Sequence, residues 1–407
     1  IRILLLTQHF PPEGGAHAGR WSWLSRELLA KGHSLDVVVP RWGHHPERQS
    51  DTSGLRIREV RALVPGLGLH RRLMNEAVTG AQTLLAALRS SRPDVVLTTV
   101  PALTSLPVGW LVAKLRRLPL VVELRDAWPH LFADVEHWND DGTHELPPPP
   151  FSNALTPTLT GWYWGMLRDA SAIVTTTESL AQDLRGHGMR QVRVARNIAT
   201  PDDPLPPVDD HDGLNVLYMG VMGRAQRLAV AIDAAALLKE SDTPVRLRIV
   251  GRGAHSHSLH TYAARKGVDV EWIDQVPKPE TRAHLEWADT VLVCLRRWHG
   301  MELTVPSKLY DIMVVQRHVS ASLEGETAEI VRQSGAGDVV PPEDPEALAR
   351  LWRDLAGDRS RLRVGSAARD WVLTHGSALL HAAEVEAACE VASARPGVAR
   401  GEALGRA

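Results

Sequence analysis

Short apolar runs alternate along the chain with longer stretches in which apolar residues return every three or four positions. The runs fall at residues 3–6, 35–39, 95–99, 120–123 and 173–176, and later at 215–219, 246–250, 268–273 and 290–295. Four to six consecutive residues rich in Val, Ile and Leu suit a strand covered on both faces, which is the condition of a parallel sheet. The stretches 21–31, 229–239 and 308–314 carry the helical repeat instead. Strand and helix in turn predict parallel α/β units. From 200 to 213 the sequence reads Thr-Pro-Asp-Asp-Pro-Leu-Pro-Pro-Val-Asp-Asp-His-Asp-Gly; prolines without N–H groups and turn-forming aspartates interrupt both patterns there. Two doubly wound domains of similar size are predicted, 1–200 and 201–376. A helix and tail, 377–407, follow them.

Composition narrows the class. In 407 residues, 46 Lys+Arg nearly balance 48 Asp+Glu for a formal charge of -2, so the broad positive field of a nucleic-acid-binding protein is missing. Only six of the basic residues are lysine, an arginine bias that fits a GC-rich coding genome such as that of a soil actinobacterium. Cys294 and Cys389 form neither a disulfide framework nor a Cys-x-x-Cys pair, which points to a reducing, cytoplasmic setting. The apolar stretch 102–124 is broken by Lys114, Arg116 and Arg117, so no spanning helix is expected. Ile1-Arg2-Ile3-Leu4-Leu5-Leu6 reads as a first strand rather than a leader.

A dinucleotide fingerprint is the first chemistry to test in such a chain. Gly251-Arg252-Gly253 follows a strand, with Glu271 some distance on, but Ser256 occupies the third glycine position, and a plain strand-to-helix turn explains the segment better. Other strings are more specific. They are Gln8-His9-Phe10-Pro11-Pro12-Glu13-Gly14-Gly15 before a helix over 20–31, Glu123-Leu124-Arg125-Asp126-Ala127-Trp128-Pro129, and Val305-Pro306-Ser307-Lys308-Leu309-Tyr310-Asp311-Ile312-Met313. Gly325-Glu326-Thr327-Ala328-Glu329 and Pro341-Pro342-Glu343-Asp344-Pro345-Glu346-Ala347-Leu348 follow. Together these strings resemble the retaining glycosyltransferases of family four, and within them the subgroup that includes bacterial surface-polysaccharide N-acetylfucosamine transferases.

The resemblance implies a GT-B fold: two facing Rossmann-like domains, the first binding the acceptor and the second the nucleotide sugar, with a C-terminal helix returning to the first. It implies a sugar donor activated by a nucleoside diphosphate, UDP with an N-acetylhexosamine being the leading choice. The acceptor would be a hydroxyl of a glycan, a lipid-linked saccharide or a secondary metabolite. Neither a covalent cofactor nor a metal is implied. A nucleotide-sugar epimerase of the same fold, with Glu326 or His9 as base, and a non-catalytic partner in an assembly complex are the alternatives.

A departing diphosphate needs positive charge, and the chain offers it between strands and helices. Gly223-Arg224-Ala225-Gln226-Arg227 combines free backbone N–H groups with two guanidinium groups. Ser307, as an N-cap, and Lys308 open a second helix in the same way. By the resemblance, Asp311 stands where ribose hydroxyls are bound, Gly251 and Val276 lie against the base, and Gly325 and Glu326 approach the donor sugar. Gly14 and Gly15 let backbone come close to the donor diphosphate or the acceptor. Arg125 and Asp126 lie past a strand's carboxyl end, where Arg125 would bind an anionic group and Asp126 orient the attacking hydroxyl. Arg227 and Lys308, with Arg125 and Asp126, are the expected catalytic set. The family's usual pattern is incomplete: Leu303 and Ala229 stand where relatives carry Glu and Lys.

Three further segments invite other readings. The proline-rich insertion 135–151 is long enough for a lid. Trp162-Tyr163-Trp164 and Leu69-His70-Arg71-Arg72-Leu73 suggest peripheral contact with the inner face of a membrane, although two arginines are few for lipid binding. His137, Asn139, Asp140, Asp141 and His144 resemble a metal cluster in composition but follow no metal motif, and a solvated loop is expected.

Overall fold

The structure, a computed structural model, describes residues 1–13, 15–42, 52–62, 69–100, 104–138, 140, 142–143, 152–199, 202–240 and 243–394. Among them, thirteen strands form two sheets in which every pairing is parallel. The first sheet contains β1 (Arg2–Leu6), β2 (Ser34–Arg41), β3 (Leu55–Arg61), β4 (Val95–Val100), β5 (Leu120–Leu124), β6 (Ala172–Thr175) and β7 (Val192–Val194). The second contains β8 (Leu214–Met219), β9 (Val245–Val250), β10 (Val270–Ile273), β11 (Thr290–Cys294), β12 (His318–Ser322) and β13 (Gly337–Val340). Their orders are β3-β2-β1-β4-β5-β6-β7 and β10-β9-β8-β11-β12-β13. Each is a Rossmann-like arrangement whose strand order reverses beside its first strand.

Central strands read as unbroken apolar runs because helices cover both faces. Leu5 pairs with Val37 on one side and Leu97 on the other, and all three are fully buried. In the second sheet Leu217, Val291 and Val319 stand in the same relation. There the helix Pro345–Gly357 is started by the Asp344 side chain, which accepts the Ala347 N–H at 2.8 Å. Its Trp352 is fully buried in the core with Ile232, Leu238 and Leu247.

The chain divides into two compact units. The first takes in Ile1–Pro129, Thr158–Arg196 and, from Ser377, the helix Ala378–Ala394. That helix buries His381, Ala382, Val385, Ala388, Cys389 and Ala392 against β4 to β7 and the helix Ala16–Ala30. Arg193 and Glu384 pair at 2.9 Å, and Lys31 and His33 both reach Glu386. The second unit takes in His130–Pro157 and Asn197–Gly376. The described residues between 130 and 157 thus belong with the second sheet, although the sequence places them inside the first domain. The reason is visible in their bonds: Asp140 pairs with Arg227 and Arg296, and the Thr143 carbonyl accepts from Arg265. Among the described residues no helix is long and apolar enough to cross a membrane.

Candidate active site

In the second unit the strand order reverses between β8 and β11, and segments 220–228 and 295–298 leave that point at the carboxyl edge, where open parallel sheets bind ligands. Lys308, from the helix Ser307–Val314, brings its Nζ to 4.0 Å from the Tyr218 ring centroid at the end of β8. A Cβ at residue 220 would lie 2.8 Å from that Nζ, and the backbone there has φ +145°, so glycine is what leaves the ammonium its space. Burial pulls the Lys308 pKa down to about 8, with the neighbouring Cys294 thiol opposing the shift. Among the described residues no carboxylate pairs with Lys308. The residue before it, Ser307, is the first helical residue rather than the N-cap. Pro306 takes the cap position and no side chain bonds to the helix start.

The arginines after β8 are engaged. Arg227, at φ +41°, donates from Nη1 to Asp140 Oδ2 at 2.7 Å and lies 3.5 Å from Glu343 through Nε. Arg224 stands over the Trp138 ring at 5.3 Å. The Gly223 N–H, which the sequence offers to phosphate, donates to Gln226 Oε1 at 3.2 Å. Arg296, past the end of β11, makes the tightest set. Its Nε donates to the Arg224 carbonyl at 2.9 Å, and its Nη1 and Nη2 reach Asp140 Oδ2 and O at 3.1 and 2.6 Å. Burial works against the Asp140 carboxylate, but the Gly142 N–H, Arg296 and Arg227 outweigh it and hold its pKa below the ordinary value.

Two of the expected ligand-facing glycines are required by the chain itself. A Cβ on Gly251 would lie 2.0 Å from the Gly220 carbonyl oxygen, and one on Gly325 would lie 2.1 Å from that of Glu302. Both residues also have positive φ. Glu326 opens the helix Glu326–Ser334 and is buried, not a solvated acidic helix start. Val276 is half-buried after β10, and Asp311 lies 3.7 Å from Lys278.

At the carboxyl edge of the first sheet, Arg125 is buried and donates to the His17 carbonyl at 3.1 Å. Burial lowers its pKa to about 10 and raises that of the Asp126 carboxyl, which Arg125 partly offsets. His17 is driven down to about 3, by burial first and then by Arg125 and His9, so it is neutral near pH 7. Gly15, at φ +96°, precedes the helix Ala16–Ala30, with nothing within 4 Å of the place a Cβ would take. Gly14 lies outside the described residues. Behind this edge Arg20 Nε meets Glu123 Oε1 at 2.6 Å, and its Nη1 and Nη2 donate to the carbonyls of Arg196 and Ala195.

Residues 213–358 match the family described as "Glycosyl transferases group 1", and residues 15–198 match the "Glycosyl transferase 4-like domain". The chain belongs to the group 1, family-four-like glycosyltransferases. Among curated relatives, the probable glycosyltransferase WbjE of Pseudomonas aeruginosa is 31% identical over 159 residues, 37% of this chain and 38% of that protein. The putative colanic acid biosynthesis glycosyltransferase WcaL of Escherichia coli K12 is 26% identical over 251 residues, 60% of this chain and 58% of that protein. The alignments thus span 38% to 58% of these relatives' own lengths. The structure of Anabaena HepE in complex with UDP-glucose superposes with a TM-score of 0.65 at 15% identity, covering 96% of this chain and 99% of that one. This likeness and the two Rossmann-like sheets make the fold GT-B.

Two charged residues of this group 1 chain escape sequence reasoning. Arg296 sits in Leu295-Arg296-Arg297-Trp298, which matches no motif. The one available signal was its place just past the run 290–295. Arg20 reads as one more base on an amphipathic helix, and only the fold reveals that both Arg20 and Glu123 are buried. Other expectations resolve by position. Trp162 is exposed and Tyr163 buried, while Trp164 stacks on His187 at 4.2 Å between ring centroids. Asp140, considered within a metal-like cluster, spends its carboxylate on arginines; Asn139, Asp141 and His144 lie outside the described residues. So do the side chains of 69–73 and residues 144–151 of the insertion.

Proposed function

We propose that the chain transfers a sugar from a nucleoside diphosphate donor, UDP-linked, to a hydroxyl of a surface glycan, a lipid-linked saccharide or a secondary metabolite, with retention at the anomeric carbon. Lys308 carries this reading. An ammonium without a carboxylate partner among the described residues, in a half-buried place at the switch point of a parallel sheet, costs the fold desolvation energy and suits an anion that arrives as ligand. HepE with bound UDP-glucose supports UDP as the carrier. The colanic acid assignment of WcaL supports polysaccharide assembly.

In this reading the second unit holds the donor. Lys308 and Arg227 stabilise charge on the leaving diphosphate, with Gly223, Arg224 and Ser307 alongside. Asp311 takes the ribose, Gly251 and Val276 border the base, and Gly325 and Glu326 border the sugar. In the first unit Arg125 binds the acceptor and Asp126 orients its hydroxyl, beside the loop of Gly14 and Gly15. The acceptor oxygen attacks from the face the diphosphate leaves, and the departing phosphate oxygen takes the proton. The protein supplies position and charge stabilisation.

Calorimetry with UDP-, GDP- and dTDP-sugars tests the donor, with UDP-sugars expected to bind; absence of any nucleotide binding would overturn the reading. Incubation with UDP-N-acetylglucosamine and no acceptor tests the reaction. Slow hydrolysis is expected, whereas interconversion of the sugar would make the protein an epimerase.

A further inference from the structure

We infer that Asp140 is a built-in competitor for the donor's phosphates: its carboxylate holds Arg227 and Arg296 at the β8/β11 switch point until a diphosphate takes its place. This rests on the nucleotide-sugar reading above.

One carboxylate oxygen, Asp140 Oδ2, receives both guanidinium groups, at 2.7 Å from Arg227 and 3.1 Å from Arg296. Two guanidiniums converging on one anionic oxygen is an arrangement that a phosphate oxygen accepts equally well. Asp140 Oδ1 is occupied by the Gly142 N–H at 2.7 Å. The contact is not a local cap, because Asp140 is 87 residues from Arg227 and 156 from Arg296 in sequence. The insertion has brought an acid to two bases on separate loops of the second sheet.

The two arginines differ in freedom. The Arg296 side chain is 2% exposed, tied to the Arg224 carbonyl and set over the Trp298 ring at 4.9 Å. Arg227 and Asp140 keep 29% and 24% of their side chains exposed, so their bond is the one an incoming anion reaches. A single carboxylate brings one negative charge, whereas a diphosphate brings two or more with several acceptor oxygens, and Coulomb attraction favours the exchange. Part of the insertion's attachment does not depend on the carboxylate. Arg296 Nη2 holds the Asp140 backbone carbonyl at 2.6 Å, and Arg265 Nη2 holds that of Thr143 at 3.1 Å. Asp140 can therefore surrender its side-chain bonds while the segment stays on the second unit.

Asp140→Asn separates competition from simple anchoring, since the amide keeps an oxygen for Gly142 and leaves the backbone bond to Arg296 intact while the charge is gone. Calorimetric titration of the full chain and this variant with pyrophosphate should show the variant binding about fivefold more tightly or better, the gain expected when a mostly occupied site is vacated. Equal or weaker pyrophosphate binding by the variant would overturn the inference. Titration with UDP in parallel tests the underlying reading: pyrophosphate binding that tightens while UDP binds to neither protein would leave the competitor standing and remove the nucleotide. A second measurement needs no variant. Pyrophosphate should accelerate hydrogen exchange at the Gly142 amide of the wild-type chain, and unchanged or slowed exchange there would count against Asp140 as the displaced group.

Discussion

At the carboxyl edge of the first sheet, Arg20 and Glu123 face each other at 2.6 Å with 1% of either side chain exposed, and the remaining Arg20 donors go to main-chain carbonyls. At the same edge of the second sheet, Lys308 stands over the Tyr218 ring with no carboxylate paired to it among the described residues, and Arg227 shares a half-exposed aspartate with Arg296. The topology is the same and the electrostatics differ. Arg20 is satisfied by the fold, so removing it damages the fold. Lys308 has no such partner among the described residues, so under the proposed function removing it damages donor binding. Under the proposed function, what separates scaffold from site is the state of the counter-charge: buried and fixed for Arg20, absent among the described residues for Lys308, and partly exposed for Arg227.

The largest expected effect tests the scaffold side. Arg20→Ala strands a buried Glu123 carboxylate and should cost about 3–5 kcal/mol of stability in urea unfolding. Arg20→Met combined with Glu123→Leu should recover part of it, because an apolar pair owes no ion desolvation while the Ala195 and Arg196 carbonyls lose their donor. A loss below about 1 kcal/mol in the single variant, the size of a surface pair, would erase the contrast between the two edges.

Lys308→Met should behave in the opposite way. Transfer should fall by about 2–4 kcal/mol in kcat/KM, the size of a lost electrostatic donor, while stability at pH 7 is kept or improved. The pH dependence has a definite sign. Burial holds the folded ammonium at about 8, below the ordinary 10.5, so between those values the unfolded chain carries the extra proton and wild-type stability rises with pH. Below that window both states are protonated and the desolvation cost is constant. Denaturant midpoints for the variant and wild type should therefore converge from pH 8 to 10. Parallel curves would place the lysine in an ordinary solvated setting.

The smallest effects compare helix starts in the two units. Thr177 accepts the Leu180 N–H at 3.4 Å in the first, and Asp344 accepts the Ala347 N–H at 2.8 Å in the second. Alanine at each should cost about 0.5 and about 1 kcal/mol respectively in thermal unfolding. The reverse order would mean that bond length is a poor guide to cap strength in this chain.

Elements were legible where one local signal dominated. The runs at 95–99 and 290–295 are β4 and β11 to within a residue, and the break at 200–213 lies between Arg196, the last of the first unit's inner segments, and β8. The strand Gly337–Val340 was harder to see, since its short run includes glycine and aspartate and gains its place by pairing with β12. The helix start that carries Lys308 was legible because Val305-Pro306 precedes it. Arg296 and Asp140 were not, because their meaning lies in a meeting across 156 residues that no periodicity encodes. For the same reason the insertion's attachment to the second sheet could not be read from its prolines.

The helix Ala378–Ala394 has a consequence for how the molecule comes into being. It packs on β4 to β7 of the first unit, yet the ribosome makes it after every strand of both sheets. While translation proceeds through the second sheet, the surface destined for Val385, Ala388 and Cys389 stays bare. Synthesis order therefore favours completion of the second unit first, although it begins later. The first unit is thus finished only after the second, by a helix that the chain supplies from beyond it.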